Sequence, residues 1–130
     1  MKTILVDAVY CFVVKDEGKF GIFDQMHDLL EKYPNNKIIL TNASDDKFEE
    51  YGFHNMPYEV FTLKHNPEKT DPEYFIKLLN HLNLGAKDVV YFEHNIEAVK
   101  SAQSVGIISY FYDENKRDLI RLETFLAKNL

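Results

Sequence analysis

Several polar residues of this sequence lie at the ends of short apolar runs or just before a helix, and their types suit phosphate and metal chemistry. Carboxylate oxygens are good ligands for Mg²⁺, while a hydroxyl or an ammonium group can hold phosphate oxygens. In a sheet of parallel strands, ligands bind at the carboxyl ends of the strands, so residues that leave neighbouring strands can converge on one crevice. The candidates are Asp7, Thr41, Asn42 and Glu93, which follow apolar runs, and Lys69, which precedes a helix.

The elements that must position these residues alternate between strands and helices. Short apolar runs rich in β-branched and aromatic residues predict five buried strands, at residues 3–6, 38–40, 58–63, 89–92 and 107–112. Amphipathic periodicity predicts helices over 22–33, 45–51, 71–82, 95–105 and 119–126. Asp71 and Asn95 have the residue types of helix starts, and Gly52 and Gly106 those of helix ends. This alternation predicts right-handed βαβ units and a parallel sheet covered by helices on both faces.

Each of these polar positions is weak when it is considered alone, because polar residues end most strands where the chain leaves the core. Asp7 is stronger, since it interrupts an apolar stretch between residues 4 and 14, and burying an unpaired carboxylate is costly. Cys11 belongs to no recognisable pairing motif and is predicted to fill the core. Four histidines without ligand spacing are predicted on the surface, namely His27, His54, His65 and His81.

Four of these segments resemble the motifs of the haloacid dehalogenase (HAD) hydrolase superfamily. Residues 4–7 (ILVD), 38–42 (IILTN) and 69–75 (KTDPEYF) are similar to the first three motifs, and the spacing from Glu93 to Gly106 fits the fourth. The resemblance covers most of residues 2–112, and the part from 64 to 112 is the most specific. It implies an α/β, three-layer Rossmann-like fold with a five-stranded parallel sheet in the order 5-4-1-2-3. The length of the sequence predicts a single domain at residues 1–130.

The resemblance also implies roles for individual residues. In this superfamily the first-motif aspartate attacks the substrate and becomes a covalent aspartyl intermediate, so Asp7 would be the nucleophile. Thr41 and the backbone N–H of Asn42 would hold the transferring group. Lys69 would offset the negative charge around Asp7, and Lys64 is a weaker rival for that role.

A weak Mg²⁺ site is a further implication of the resemblance. The superfamily uses the first-motif carboxylate, the backbone carbonyl two residues later and an acid of the fourth motif, which here are Asp7, Val9 and Glu93. The fourth motif departs from the pattern, because Glu93 is one methylene longer than aspartate and its neighbouring acid is replaced by His94. Glu97 could partly compensate, or could lie on the exposed first turn of a helix, where acids are favoured.

The main departure is at the second aspartate of the first motif, which falls on Val9 and is followed by Tyr10 and Cys11. In the superfamily that aspartate is the general acid and base, and losing a positioned general acid typically costs ~10²–10⁴-fold in rate. Two functions stay open: a phosphatase-type hydrolase with reduced activity, and a catalytically degenerate module that binds a protein or a ligand. Dehalogenating and phosphonate-cleaving relatives also lack the second aspartate but carry a cap. Here the intervals 7–37 and 41–69, of roughly 30 residues each, are predicted to hold a single helix and no cap.

Composition limits the remaining classes. A net charge of −6, from 15 basic and 21 acidic residues, argues against a broad basic face for nucleic acid or anionic membrane. One cysteine permits no intrachain disulfide, which predicts a cytoplasmic protein. A phosphoacceptor receiver domain would need an aspartate after the third strand and a lysine after the fifth, and Leu63-Lys64 and Tyr112-Asp113 do not supply them. The expected partner is a phosphorylated substrate, which an open site allows to be large, or a protein.

Overall fold

The computed structural model describes all residues from 1 to 130 as an α/β arrangement of strands and helices. None of its helices has the length and apolar character that crossing a membrane requires. The elements along the chain are β1 Thr3–Asp7, β2 Val13–Asp16, β3 Lys19–Ile22, α1 Asp24–Leu30, β4 Lys37–Thr41, α2 Asp45–Tyr51, β5 Glu59–Thr62, α3 Pro72–Leu82, β6 Val89–Glu93, α4 Ile96–Ser104, β7 Ile108–Phe111 and α5 Leu119–Asn129. Short 3₁₀ turns lie at Phe53–Asn55 and Ala86–Asp88.

Five parallel strands form the main sheet, and each of the five predicted runs contributes one of them. Strand β1 lies at the centre, with Leu5 beside Ile38 of β4 and Val6 beside Phe92 of β6. The order of the strands in the sheet is β5-β4-β1-β6-β7, whereas the predicted order was 5-4-1-2-3. The numbers differ because the prediction numbered only five strands. It did not include β2 and β3, the two strands of a hairpin between β1 and α1.

That hairpin, β2–β3, corrects the prediction of a single helix between residues 7 and 37. Its strands are antiparallel, with Val13 beside Ile22. The turn between them has positive φ at both central residues, Glu17 at 50° and Gly18 at 80°, which is the backbone of a tight hairpin turn. Ile22 and Phe23, which the apolar periodicity assigned to the helix, belong to β3 and to the N-cap of α1.

Two hydrophobic layers enclose the sheet, because successive side chains of a strand point to opposite faces. Ile4 and Val6 of β1 face a cluster of 17 buried residues that α1, α5 and the hairpin complete. Leu5, between them, faces a cluster of 11 buried residues that includes Tyr74 and Phe75 of α3. Helices therefore cover both faces of the parallel sheet, as the alternation of elements predicted.

The helix boundaries near the sheet edge follow their capping residues. Asp71 is the N-cap of α3 and accepts a hydrogen bond from the backbone N–H of Glu73 at 2.9 Å. Asn95 caps α4 in the same way, because its Oδ1 accepts a hydrogen bond from the backbone N–H of Glu97 at 3.0 Å. Gly52 ends α2 with φ at 74°, a left-handed conformation that glycine adopts without strain.

Candidate active site

The carboxyl ends of β1, β4 and β6 meet at a cavity of about 360 Å³. Strand register explains the convergence, since Asp7 directly follows the Val6–Phe92 pair and Glu93 follows it on the other strand. All of the site residues named from the sequence line this cavity: Asp7, Val9, Thr41, Asn42, Lys69 and Glu93. His65, Lys47 and His94 line it as well, so one of the histidines predicted on the surface borders the site.

Lys69 forms the centre of the site's charge balance. Its Nζ donates to Asp7 Oδ1 at 2.6 Å and to Glu93 Oε1 at 2.8 Å, and all three side chains are buried. Burial opposes the charge on Lys69, but the two carboxylates outweigh it and raise the pKa of the ammonium group well above its usual value. The rival, Lys64, is exposed and pairs with Asp45 at 3.1 Å instead.

The loop that carries Lys69 is fixed by contacts to β4. The backbone N–H of Lys69 donates to Asn42 Oδ1 at 2.8 Å. Behind it, the hydroxyl of Tyr74 in α3 donates to the carbonyl of Thr41 at 2.9 Å. The Asn42 side chain is therefore used to position the lysine, while the sequence assigned a role only to its backbone N–H.

Thr41 and Val9 lie on the cavity wall. Thr41 Oγ1 accepts a hydrogen bond from the backbone N–H of Ala43 at 3.1 Å, which leaves the hydroxyl proton free for another partner. Val9 is half-buried and forms an isolated bridge with Val13 at the base of the hairpin. Tyr10, with φ at 77°, turns the chain there, and its ring lies 5.3 Å from the His94 ring, centroid to centroid.

His94 occupies the position between the two carboxylates, a placement that the sequence did not reveal. Its Nδ1 contacts Asp7 Oδ2 and lies 3.1 Å from Glu93 Oε2. Burial would lower the pKa of His94, but hydrogen bonds to Asp7 and Glu93 raise it to about 10. Burial likewise opposes ionisation of Asp7, yet Lys69 and His94 hold the pKa of that carboxyl well below its usual range. Glu97 points elsewhere and pairs with Lys100 at 3.6 Å.

Cys11 is buried, as predicted, but it is more than core filling. Its thiol donates to Asp7 Oδ2 at 3.2 Å. Burial, followed by the charges of Asp7 and Glu93, raises the pKa of the thiol well above its usual value. The one indication of this contact in the sequence was that Cys11 lies only four residues after Asp7, in the segment that follows the central strand.

The donors in the site do not suit Mg²⁺ as they are arranged. Glu93 already accepts from Lys69 and the Tyr91 hydroxyl on Oε1, and from the backbone N–H of Asn95 on Oε2 at 3.0 Å. His94 Nδ1 lies on the remaining side of both carboxylates. Mg²⁺ requires an octahedral oxygen shell, whereas the groups in contact with Asp7 Oδ2 include a nitrogen of His94 and the sulfur of Cys11. The Mg²⁺ site predicted at Asp7, Val9 and Glu93 thus stays a prediction that this geometry does not favour.

Comparison with known proteins places the fold. No family model and no curated protein matches the chain. A HAD family enzyme from Bacteroides thetaiotaomicron, solved with magnesium and inorganic phosphate, is similar in structure with a TM-score of 0.65 and 13% identity, over 85% of this chain and 93% of that one. An uncharacterized protein from Corynebacterium glutamicum is similar with a TM-score of 0.69 and 17% identity, over 98% of this chain and 96% of that one. A 3-deoxy-D-manno-octulosonate 8-phosphate phosphatase from Moraxella catarrhalis was solved with magnesium and phosphate. It is similar with a TM-score of 0.51 and 10% identity, over 98% of this chain and 92% of that one.

The chain therefore has the fold of HAD-like hydrolases, and the resemblance seen in its motifs is confirmed at the level of fold. Sequence identities between 10% and 17% carry no statement about substrate or rate.

Proposed function

We propose that this protein is a HAD-like hydrolase of the phosphatase type, which transfers a phosphoryl group to Asp7 and then to water at a reduced rate. The observation that carries the proposal is the Asp7 carboxylate itself. It lies at the end of the central strand, faces the cavity, and is held by the buried Lys69 ammonium at 2.6 Å. A low pKa keeps the carboxylate ionised and able to attack phosphorus.

The first step forms a bond between an Asp7 oxygen and phosphorus and breaks the bond to the leaving oxygen, which departs with the electron pair. Thr41 and Asn42 both line the cavity, and the Thr41 hydroxyl and the Asn42 backbone N–H would hold the phosphoryl oxygens. Val9 supplies no proton to the leaving group, so that group leaves as an anion or takes its proton from another donor in the cavity. Substrates with acidic leaving groups are therefore favoured, and water completes the cycle by hydrolysing the aspartyl phosphate.

The experiment that tests this function is turnover of 4-nitrophenyl phosphate by the protein and by Asp7→Asn. The substitution keeps the size of the side chain and removes the nucleophile, so we expect activity to fall to the background rate. Asp28→Asn, an equal change of charge on the exposed face of α1, is the matched control and should keep full activity. Thermal melts confirm that both variants are folded. Activity that persists in Asp7→Asn excludes Asp7 as the nucleophile.

A second candidate is a degenerate module that binds a phosphorylated ligand or a protein without turnover. It is favoured by Val9 in place of the general acid and by His94 in the position between the carboxylates. Phosphate that binds in the cavity of a protein with no turnover would support this candidate over the enzyme. A capless open site, a large substrate and a cytoplasmic location are further parts of the proposal. Mg²⁺ dependence is not, because the donors present do not fit that ion.

A further inference from the structure

We propose that Asp7 Oδ2, Cys11 Sγ and His94 Nδ1 form a binding site for a transition metal ion, with Zn²⁺ as the preferred ion. The inference goes beyond the proposed hydrolysis, since metal binding requires no turnover. It also replaces the oxygen-only ion that the family resemblance implies with an ion suited to the donors that are present.

The three donor atoms already lie in one small region. One ligand atom of each residue falls within 4.8 Å of those of the other two, and Sγ is 3.2 Å from Asp7 Oδ2. Zinc binds sulfur at about 2.3 Å and nitrogen or oxygen at about 2.0–2.2 Å in tetrahedral geometry, which separates ligand atoms by roughly 3.5 Å. The contact between His94 Nδ1 and Asp7 Oδ2 is closer than this, so the ion must separate these two atoms as it enters.

The chemistry of the donors selects the ion. A thiolate and an imidazole bind Zn²⁺ in preference to Mg²⁺, because Mg²⁺ takes oxygen ligands and loses its waters reluctantly. Three protein ligands leave a fourth tetrahedral position for water or a ligand, and two of the three, His94 and Asp7, line the cavity. Glu93 keeps its contacts to Lys69, Tyr91 and Asn95, so it is available as a nearby negative charge rather than as a necessary ligand.

The charges of the residues around the ion compensate it. Zn²⁺ binds cysteine as the thiolate, so the negative charges of Cys11 and Asp7 offset those of the dication. Lys69 stays paired with Asp7 Oδ1 and Glu93, so no buried charge is left uncompensated. The ion reaches the site through the cavity, on the partly exposed side of His94.

The test uses Co²⁺ as a spectroscopic probe on chelator-treated protein. We expect an intense near-ultraviolet sulfur-to-cobalt band together with visible bands of tetrahedral strength, at a stoichiometry of one. One equivalent of Zn²⁺ should remove these bands, and a large excess of Mg²⁺ should not. Cys11→Ser should abolish the near-ultraviolet band and weaken Zn²⁺ binding by at least about tenfold. Loss of a residue that only hydrogen-bonds to a metal ligand already has an effect of that size.

Controls keep the outcome clear. His94→Gln should weaken binding as strongly as Cys11→Ser, whereas His81→Gln, at an exposed histidine of α3, should leave the spectrum unchanged. If a variant does not fold, the wild-type spectrum and the Zn²⁺-dependent rise in its melting temperature still decide the matter. A missing sulfur-to-cobalt band in the wild type overturns the proposal, and so does a band that survives Cys11→Ser. No phosphate ester is present, so failure here is distinct from failure of the hydrolase assay.

Discussion

Lys69 is the residue on which the buried charges of the site depend. It forms ion pairs with both Asp7 and Glu93, whereas Lys64 is held by Asp45 at the surface. Two carboxylates this close require a cation to remain ionised in the interior. The lysine therefore contributes to stability and to the nucleophile's charge through the same contacts.

Replacing Lys69 with Met keeps the length of the side chain but leaves two buried carboxylates with only His94 as a cation. We expect the free energy of unfolding to fall by ~3–5 kcal/mol, because removing one partner of a buried ion pair leaves the other as an uncompensated buried charge. Urea unfolding at neutral pH measures the change. Lys64→Met, which breaks an exposed pair, is the control and should stay within about 1 kcal/mol. An equally small effect at Lys69 would contradict its role in compensating the charges of Asp7 and Glu93.

Val9 tests whether the missing general acid is what limits the rate. Val9→Asp should raise the turnover of phenyl phosphate by about tenfold or more, within what a positioned acid supplies. The gain should be smaller for 4-nitrophenyl phosphate, whose leaving group needs no proton. Val9→Asn has nearly the same shape and donates no acidic proton, so it is the matched control.

The stability of Val9→Asp must be checked by thermal melt, since the position is half-buried and a carboxylate there is unfavourable. A folded Val9→Asp protein with unchanged turnover would show that Tyr10 and Cys11 have also altered the site. The binding module would then stand ahead of the enzyme.

At the scale of elements, the hairpin and the α3 start position the site from opposite sides. The ring of Phe20 in β3 packs edge-on against Tyr51 of α2, with centroids 4.8 Å apart, and so ties the hairpin to the rim of the cavity. On the other side, Asp71 begins α3 two residues after Lys69. The helix therefore holds the end of the lysine loop in place.

Asp71→Ala should lower the free energy of unfolding by about 1 kcal/mol, because it removes the side-chain acceptor for the Glu73 N–H at the start of α3. Ser44 is the N-cap of α2 but makes no side-chain capping bond, so Ser44→Ala should change stability by less than about 0.5 kcal/mol. Urea unfolding of both variants measures the difference. Equal losses at the two positions would show that the Asp71 hydrogen bond does not stabilise α3.

At the scale of the whole molecule, the central strands join two hydrophobic layers into one cooperative unit. Strand β6 sends Val90 and Phe92 into the larger cluster, and Val89 and Tyr91 into the smaller one. Both layers therefore pack against the same strands. Opening one layer disturbs the packing of the other. The site lies at the edge of these same strands, so its geometry depends on both layers.

Truncation in either layer should destabilise the whole molecule. Leu30→Ala in one layer and Leu78→Ala in the other should each lower the free energy of unfolding by ~2–5 kcal/mol, since both side chains are fully buried. Far-ultraviolet circular dichroism and tyrosine fluorescence should report the same urea midpoint in each variant. Ile120→Ala, at a residue 79% exposed on α5, should have little effect. Separate midpoints for the two probes would contradict a single cooperative unit.

The sequence by itself determined the five sheet strands, the capped helices and the residues at the strand ends. Those features are local: an apolar run, an N-cap such as Asp71, or a turn residue such as Gly52 is readable within a few positions. The hairpin was missed although its turn is local. The helical period of residues 24–30 extends by chance across Ile22 and Phe23, and the turn at Glu17-Gly18 is a weak signal.

Only the tertiary structure decided what surrounds Asp7. His94 is 87 residues away along the chain, and it reaches Asp7 because β1 and β6 are neighbours in a particular register. Cys11 is close in sequence, but its thiol meets the carboxylate through the tight turn at Tyr10. Side-chain direction after a strand depends on such turns and registers, which no periodicity records. For that reason the sequence could name the carboxylates, while the nitrogen and sulfur beside them appeared only when the chain was folded.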